Sequence, residues 1–145
     1  MKFDHIGVVV PSLARGREHL NGIFGIQRWT IEFADEINGV YVQFGLDSSE
    51  LCYEIVAPLG ENSPVQRTLA VRDRILNHVA YLVPDLDQSA IQLRANRCLP
   101  AGSPNPAIAY GGSRIQFFIS PLKFIVELIE APNHKHIYLA SSEIL

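Results

Sequence analysis

Residues 4–20, DHIGVVVPSLARGREHL, and residues 77–93, NHVAYLVPDLDQSAIQL, are one pattern written twice at a constant offset of 73. His5 pairs with His78, Val10 with Val83, Pro11 with Pro84, Leu13 with Leu86 and Leu20 with Leu93, with no gap. The register persists downstream: Gly39 falls on Gly112, Gln43 on Gln116, Phe44 on Phe117 and Glu54 on Glu127, so YEIVAP echoes VELIEAP. The duplication predicts two equivalent units, each carrying one His and one Glu at equivalent places.

Within the first unit, the β-branched run Lys2 to Val10 predicts a strand that Pro11 ends, because proline fixes φ and lacks the N–H a continuing strand would use. Ser12 then reads as an N-cap, with Leu13, Gly16, Leu20, Ile23 and Phe24 on one helical face and Gly25 closing the helix. Strands are expected over Ile26 to Phe33, Val40 to Leu46 and Glu50 to Val56, giving the order βαβββ. In the connector, Ser63 and Pro64 read as an N-cap and N1 pair opening a short helix through Ala70. The second unit repeats the plan: a strand from Ile75 to Val83, and a helix capped by Asp85 with Leu86, Ser89, Ala90 and Leu93 inside and Gln88 at a capping-box position. Cys98 to Pro106 is proline-rich and reads as a short edge strand with a loop, before strands over Ser113 to Ile119 and Phe124 to Glu130.

The expected organisation is one α+β domain over 1–145: module one 1–57, connector 58–74, module two 75–132 and a tail over 133–145. The length and the 48% hydrophobic content suit a single packed core. A net charge of −3 with mixed signs supplies no basic stripe for phosphates, so nucleic acid is not an expected partner. No apolar run approaches the roughly 18 residues a bilayer span needs, and no signal-peptide core follows Met1; no membrane association and a cytoplasmic location are expected. Cys52 and Cys98 read as free thiols acting as small core residues.

The chemistry follows from the repeat. His5 and His78 sit in otherwise apolar strands, and Glu54 and Glu127 interrupt the most apolar strands of the chain. Burying an unpartnered carboxylate costs several kcal/mol or more, and a divalent metal ion accounts for all four residues together. Two neutral imidazoles and two carboxylates make a neutral site with such an ion, and the donor set admits zinc, nickel, cobalt, manganese or iron. Of the other candidates, His19, His134 and His136 read as solvated. Gln43 and Gln116 read as either cleft-lining or polar-face residues. Ser113 lacks a GxSxG elbow, and Tyr110-Gly-Gly reads as a turn.

On these residues the chain resembles the vicinal oxygen chelate superfamily of glyoxalases, bleomycin resistance proteins and dioxygenases. The resemblance implies two tandem βαβββ modules whose strands curl into a shared metal-containing cleft, with His5, Glu54, His78 and Glu127 as ligands. Within the superfamily, HIGVVVPSL, APLGENSPV, NHVAYLVPDLD and FFISPLKFIVELIEAP are most similar to the methylmalonyl-CoA epimerases. That implies epimerisation or isomerisation by proton transfer next to a carbonyl, on a small molecule such as a CoA thioester. Glu127 is then the leading proton carrier, Glu54 its partner on the opposite side, and Glu36 a loop acid that could swing in. The epimerases' loop acid falls here on Ile37, one residue after Glu36, and Glu54 gives the ligand set of glyoxalase I. The rival readings are therefore a lactoylglutathione lyase of the glyoxalase I type, isomerising a glutathione hemithioacetal to a glutathione thioester, and a non-catalytic small-molecule binding or resistance protein. Superfamily members often dimerise, and Ile137, Tyr138 and Leu139 are candidates to cover a partner's surface in a homodimer.

Overall fold

The protein, seen here as a computed structural model, is described over residues 1–73 and 75–139; Arg74, which ends the expected connector, and tail residues 140–145 lie outside the described residues. At the centre lie the two opening strands of the repeat, β1 (Lys2–Val9) and β6 (Leu76–Leu82), paired antiparallel. His5 stands opposite Ala80 and Gly7 opposite His78, which is the pairing a local two-fold axis between equivalent strands generates. Each is flanked in parallel by the closing strand of its own unit: β5 (Cys52–Pro58) beside β1 and β10 (Ile125–Ile129) beside β6. The register repeats as well, since Gly7 faces Glu54 and Ala80 faces Glu127. The antiparallel strands β4 (Val40–Leu46) and β9 (Arg114–Ile119) extend the sheet on either side. Short edge strands finish it: β2 (Arg28–Trp29) and β3 (Phe33–Asp35) on β4, and β7 (Leu99–Pro100) and β8 (Asn105–Pro106) on β9. Among the described residues this is one open ten-stranded sheet with three α-helices, an α+β fold.

Both crossovers are built alike. α1 (Leu13–Phe24) is capped by Ser12 Oγ accepting from the Arg15 N–H, and α3 (Leu86–Ala95) by Asp85 Oδ1 accepting from the Gln88 N–H. The residues before them donate to equivalent carbonyls, Val10 to Val56 at 2.9 Å and Val83 to Ile129 at 2.8 Å. Each helix packs a narrow apolar stripe on the convex side of the sheet, Leu13 and Leu20 against Ile26, Trp29 and Ile55, and Leu86 and Ala90 against Phe118 and Leu128. A third cluster, with Phe44, Ala80, Tyr110 and Ile129, lines the concave side. No helix among the described residues is long and apolar enough to cross a membrane. Cys52 is buried, Cys98 half-buried, and both are free thiols.

Several local expectations fail for identifiable reasons. The strand expected over 26–33 breaks into β2 and β3 at Thr30, whose N–H still donates to the Phe44 carbonyl at 2.9 Å while the return bond is lost. The Thr30 carbonyl accepts from the Gln43 amide at 2.7 Å and its hydroxyl from the Phe44 N–H at 3.2 Å, side-chain bonds replacing that return bond. The connector helix α2 (Gln66–Val71) starts later than expected and has no side-chain cap; the Ser63 hydroxyl donates to the Gly39 carbonyl instead. Ile23 and Phe24 fall outside the buried stripe of α1, which is Leu13, Gly16 and Leu20, although Phe24 stacks on Tyr53 with ring centroids 5.4 Å apart. Gln43 and Gln116 are buried, yet they do not line the cleft; they hold Arg17 and Thr30 in one unit and the Gly102 carbonyl in the other. In the tail, Tyr138 donates to Cys52 Sγ at 3.0 Å and the Leu139 N–H to the Trp29 carbonyl at 2.8 Å; both are half-buried, and Ile137 is exposed.

Candidate metal centre

The central strands β5, β1, β6 and β10 are neighbours in the sheet and contribute Glu54, His5, His78 and Glu127 in turn. All four residues are buried, and one donor atom from each lies within 4.8 Å of every other. His5 Nε2 is 3.0 Å from His78 Nε2 and 3.3 Å from both Glu54 Oε1 and Glu127 Oε1; His78 Nε2 is 3.2 and 3.1 Å from the same oxygens. Ligands of one divalent ion at about 2.0–2.2 Å stand about 3 Å apart, so the spacing fits a shared cation.

The outer nitrogens make the same case. His5 Nδ1 faces Asp4 Oδ2 at 2.7 Å and His78 Nδ1 faces Asn77 Oδ1 at 3.0 Å. A carboxylate only accepts, so Nδ1 carries the proton and Nε2 presents its lone pair, the tautomer a metal ligand needs. Two lone pairs and two carboxylate oxygens then converge with no donor between them, and Glu127 Oε1 has no hydrogen-bond partner. A cation satisfies this set. Without one, protons must. Burial lowers the His5 pKa, but the Glu54 charge and hydrogen bonds to Asp4, Glu127 and Glu54 outweigh it and hold it well above the ordinary value. His78 is raised against the same burial by hydrogen bonds to Glu127 and Glu54. Burial raises Glu54, yet the two histidines hold its carboxyl down at about 2.

Gly7 makes room for the site. A Cβ there would fall inside the His78 ring, while the equivalent residue of the second unit is Ala80. Gly7→Ala should displace the His78 imidazole, costing about 1–3 kcal/mol as overpacking and weakening metal binding. Melting and isothermal titration with zinc against the wild type check this, and unchanged affinity counts against the placement of His78.

A cavity of about 790 Å³ opens from Glu54, His78 and Glu127, walled by Val42, Ile115 and Phe117 and by connector residues Glu61 to Val65, while His5 lies buried behind it. No lysine or arginine lines it among the described residues. Glu36 lies at the rim in the exposed β3–β4 turn and does not join the four. His19 is exposed as expected. His136 is not solvated: it donates to Asp4 Oδ2 at 2.9 Å and stacks on Phe44 at 4.1 Å. Sequence reasoning assigns no role to Asp4 or Asn77, and Tyr110, which donates to Asp4 at 2.6 Å, figures there only as part of a turn. The signal for the first two was present, an Asx residue before each repeat-related histidine.

The description "Glyoxalase/Bleomycin resistance protein/Dioxygenase superfamily" matches residues 4–117, which hold His5, Glu54 and His78; Glu127 lies beyond the match and rests on the repeat register. The uncharacterized protein YqjC of Bacillus subtilis (strain 168) is 27% identical over 140 residues, covering 93% of this chain and 96% of its own. A hypothetical protein from Bacillus halodurans C-125 shares the fold with a TM-score of 0.76 at 22% identity, covering 94% and 98% of the two chains. Methylmalonyl-CoA epimerase from Mycobacterium tuberculosis does so with a TM-score of 0.70 at 24% identity, covering 88% and 86%.

Proposed function

The chain belongs to the glyoxalase/bleomycin resistance protein/dioxygenase superfamily, and from that premise we propose that it is a metal-dependent isomerase or epimerase moving a proton at a carbon next to a carbonyl. The observation that carries the proposal is the converging set of four acceptors with an orphaned Glu127 Oε1 at the floor of a cavity large enough for a small molecule. A divalent ion held by His5, Glu54, His78 and Glu127 would supply Lewis-acid stabilisation of charge on the carbonyl oxygen beside the reacting carbon. The chain's residues do the rest. Glu127, whose Oε1 has no hydrogen-bond partner while both Nε2 atoms present lone pairs, takes the proton, and Glu54 stands on the other side of the pair of histidines to return one to the opposite face. The apolar walls formed by Val42, Ile115 and Phe117 exclude water around the reacting carbon.

As substrate we propose an acyl-CoA thioester, on the strength of the epimerase-like segments HIGVVVPSL and APLGENSPV. With no lysine or arginine in the lining among the described residues, the acyl end and its thioester are the part that enters, and the phosphates of the carrier stay outside. The carboxylate at Glu54 favours a second reading, a lactoylglutathione lyase of the glyoxalase I type, and a binding protein without turnover is the third. Metal-loaded protein in heavy water distinguishes them. We expect the α-proton of an acyl-CoA such as methylmalonyl-CoA to exchange, and chelation to stop it. Consumption of a glutathione hemithioacetal without acyl-CoA exchange would move the assignment to the second reading, and tight binding with neither reaction to the third.

A further inference from the structure

Each histidine is supported by the residue before it. Asp4 and Asn77 are equivalent in the repeat; Asn77 Oδ1 accepts from His78 Nδ1 at 3.0 Å, and Asp4 Oδ2 accepts from three donors. These are Tyr110 Oη at 2.6 Å, His5 Nδ1 at 2.7 Å and His136 Nε2 at 2.9 Å. His136 has no counterpart in the first unit; it comes from the segment after β10. Its ring lies on Phe44 at 4.1 Å with an interplanar angle of 26°, and Phe44 in turn meets His5 edge-on at 5.4 Å. His134 packs against both Tyr110 and His136, at 4.6 and 4.7 Å. The Tyr138 bond to Cys52 and the Leu139 bond to Trp29 tie down the end of the segment.

The side chains of Asp4 and His136 are only 6% and 7% exposed. A buried carboxylate needs compensation, and one that receives a ligating histidine's outer N–H orients that ring and raises its donor strength. Asp4 can do this only while its own charge is held in place. His136 supplies that from outside the repeat.

We propose that the C-terminal segment is a working part of the metal centre: His136 is a positioning residue that holds Asp4 against His5 Nδ1, so that docking of residues 134–139 sets how tightly the centre binds its ion. This rests on the metal reading given above. Asp4, His5 and His136 also lie close enough to hold an ion themselves. Three donors already share Asp4 Oδ2, however, and a cation there would have to displace them.

Cobalt(II) titration of the full chain, stripped of metal, tests the proposal, using affinity and the visible absorption of the bound ion as readouts. His136→Phe keeps a ring on Phe44 and removes the donor; His136→Gln keeps a donor. We expect His136→Phe to lose about 10- to 100-fold in cobalt affinity with an altered absorption spectrum, and His136→Gln to recover most of both. A loss that His136→Gln does not repair would mark a packing role only and overturn the proposal. So would wild-type affinity and spectrum in His136→Phe, or two ions per wild-type chain of which His136→Phe loses one. His78→Ala is the control for the parent reading: cobalt bound as tightly there as in the wild type would overturn the metal centre itself, an outcome distinct from failure of the tail's role.

Discussion

Glu127→Gln should keep a substantial share of its metal and lose proton exchange by the roughly 10²- to 10⁴-fold that a missing general base costs. The substitution preserves size and an oxygen donor while removing basicity. Glu127 is the site to choose because its Oε1 sits 3.1 Å from His78 Nε2 and 3.3 Å from His5 Nε2 and is satisfied by no hydrogen bond while those nitrogens present lone pairs. Glu36→Gln should do far less, since that residue is exposed at the rim of the cleft, outside the four-residue cluster. The assay is exchange of a thioester's α-proton, with metal content measured on the same samples. A dead Glu36 variant beside an active Glu127→Gln would move the base into the loop and reverse the two roles.

The second large effect is expected from His78→Ala, which removes one of the two imidazoles that meet at 3.0 Å. Metal stoichiometry should collapse, and with it the stabilisation that metal gives the folded chain. At a metal concentration one hundred times its Kd, that stabilisation is about 2.7 kcal/mol, which for a domain of this size corresponds to a melting shift on the order of 5–10 °C. Wild type should show the shift and His78→Ala should not. Equal stoichiometry in the two proteins would remove the site as drawn. Acidity should imitate the substitution in part. Both imidazoles are raised above 6.5 in the folded chain without metal, so a proton must leave each Nε2 before it can bind an ion. Metal affinity should therefore climb as pH rises from 5 to 8, with proton release measurable by calorimetry in buffers of different ionisation enthalpy. For the metal-free chain the sign is opposite. A raised histidine contributes stability that is complete below the unfolded value and is lost as pH rises through the folded one.

Most of this architecture is legible from the repeat. The offset of 73 pairs His5 with His78 and Glu54 with Glu127, and the sheet places those pairs on its four central strands because equivalent sequences form equivalent strands about a local axis. What the repeat does not reveal is wherever the units differ. The break at Thr30 depends on a bond from Gln43, thirteen residues on. The late start of α2 depends on Ser63 bonding Gly39, twenty-four residues back. His136 reads as solvated because its partners are Asp4, 132 residues away, and the face of Phe44. Periodicity and caps are local properties, and these contacts are not.

The antiparallel seam between β1 and β6 also has a kinetic consequence. Its partners are separated by 68 to 80 residues, whereas β1 with β5 and β6 with β10 each close within one unit. Chain-closure entropy favours forming the pairings within each unit before the seam. Until it forms, each half presents one His and one Glu of the four-residue cluster, too few to hold an ion firmly. Metal capture should therefore lag behind secondary structure in a refolding experiment, and a metal signal would time the joining of the halves.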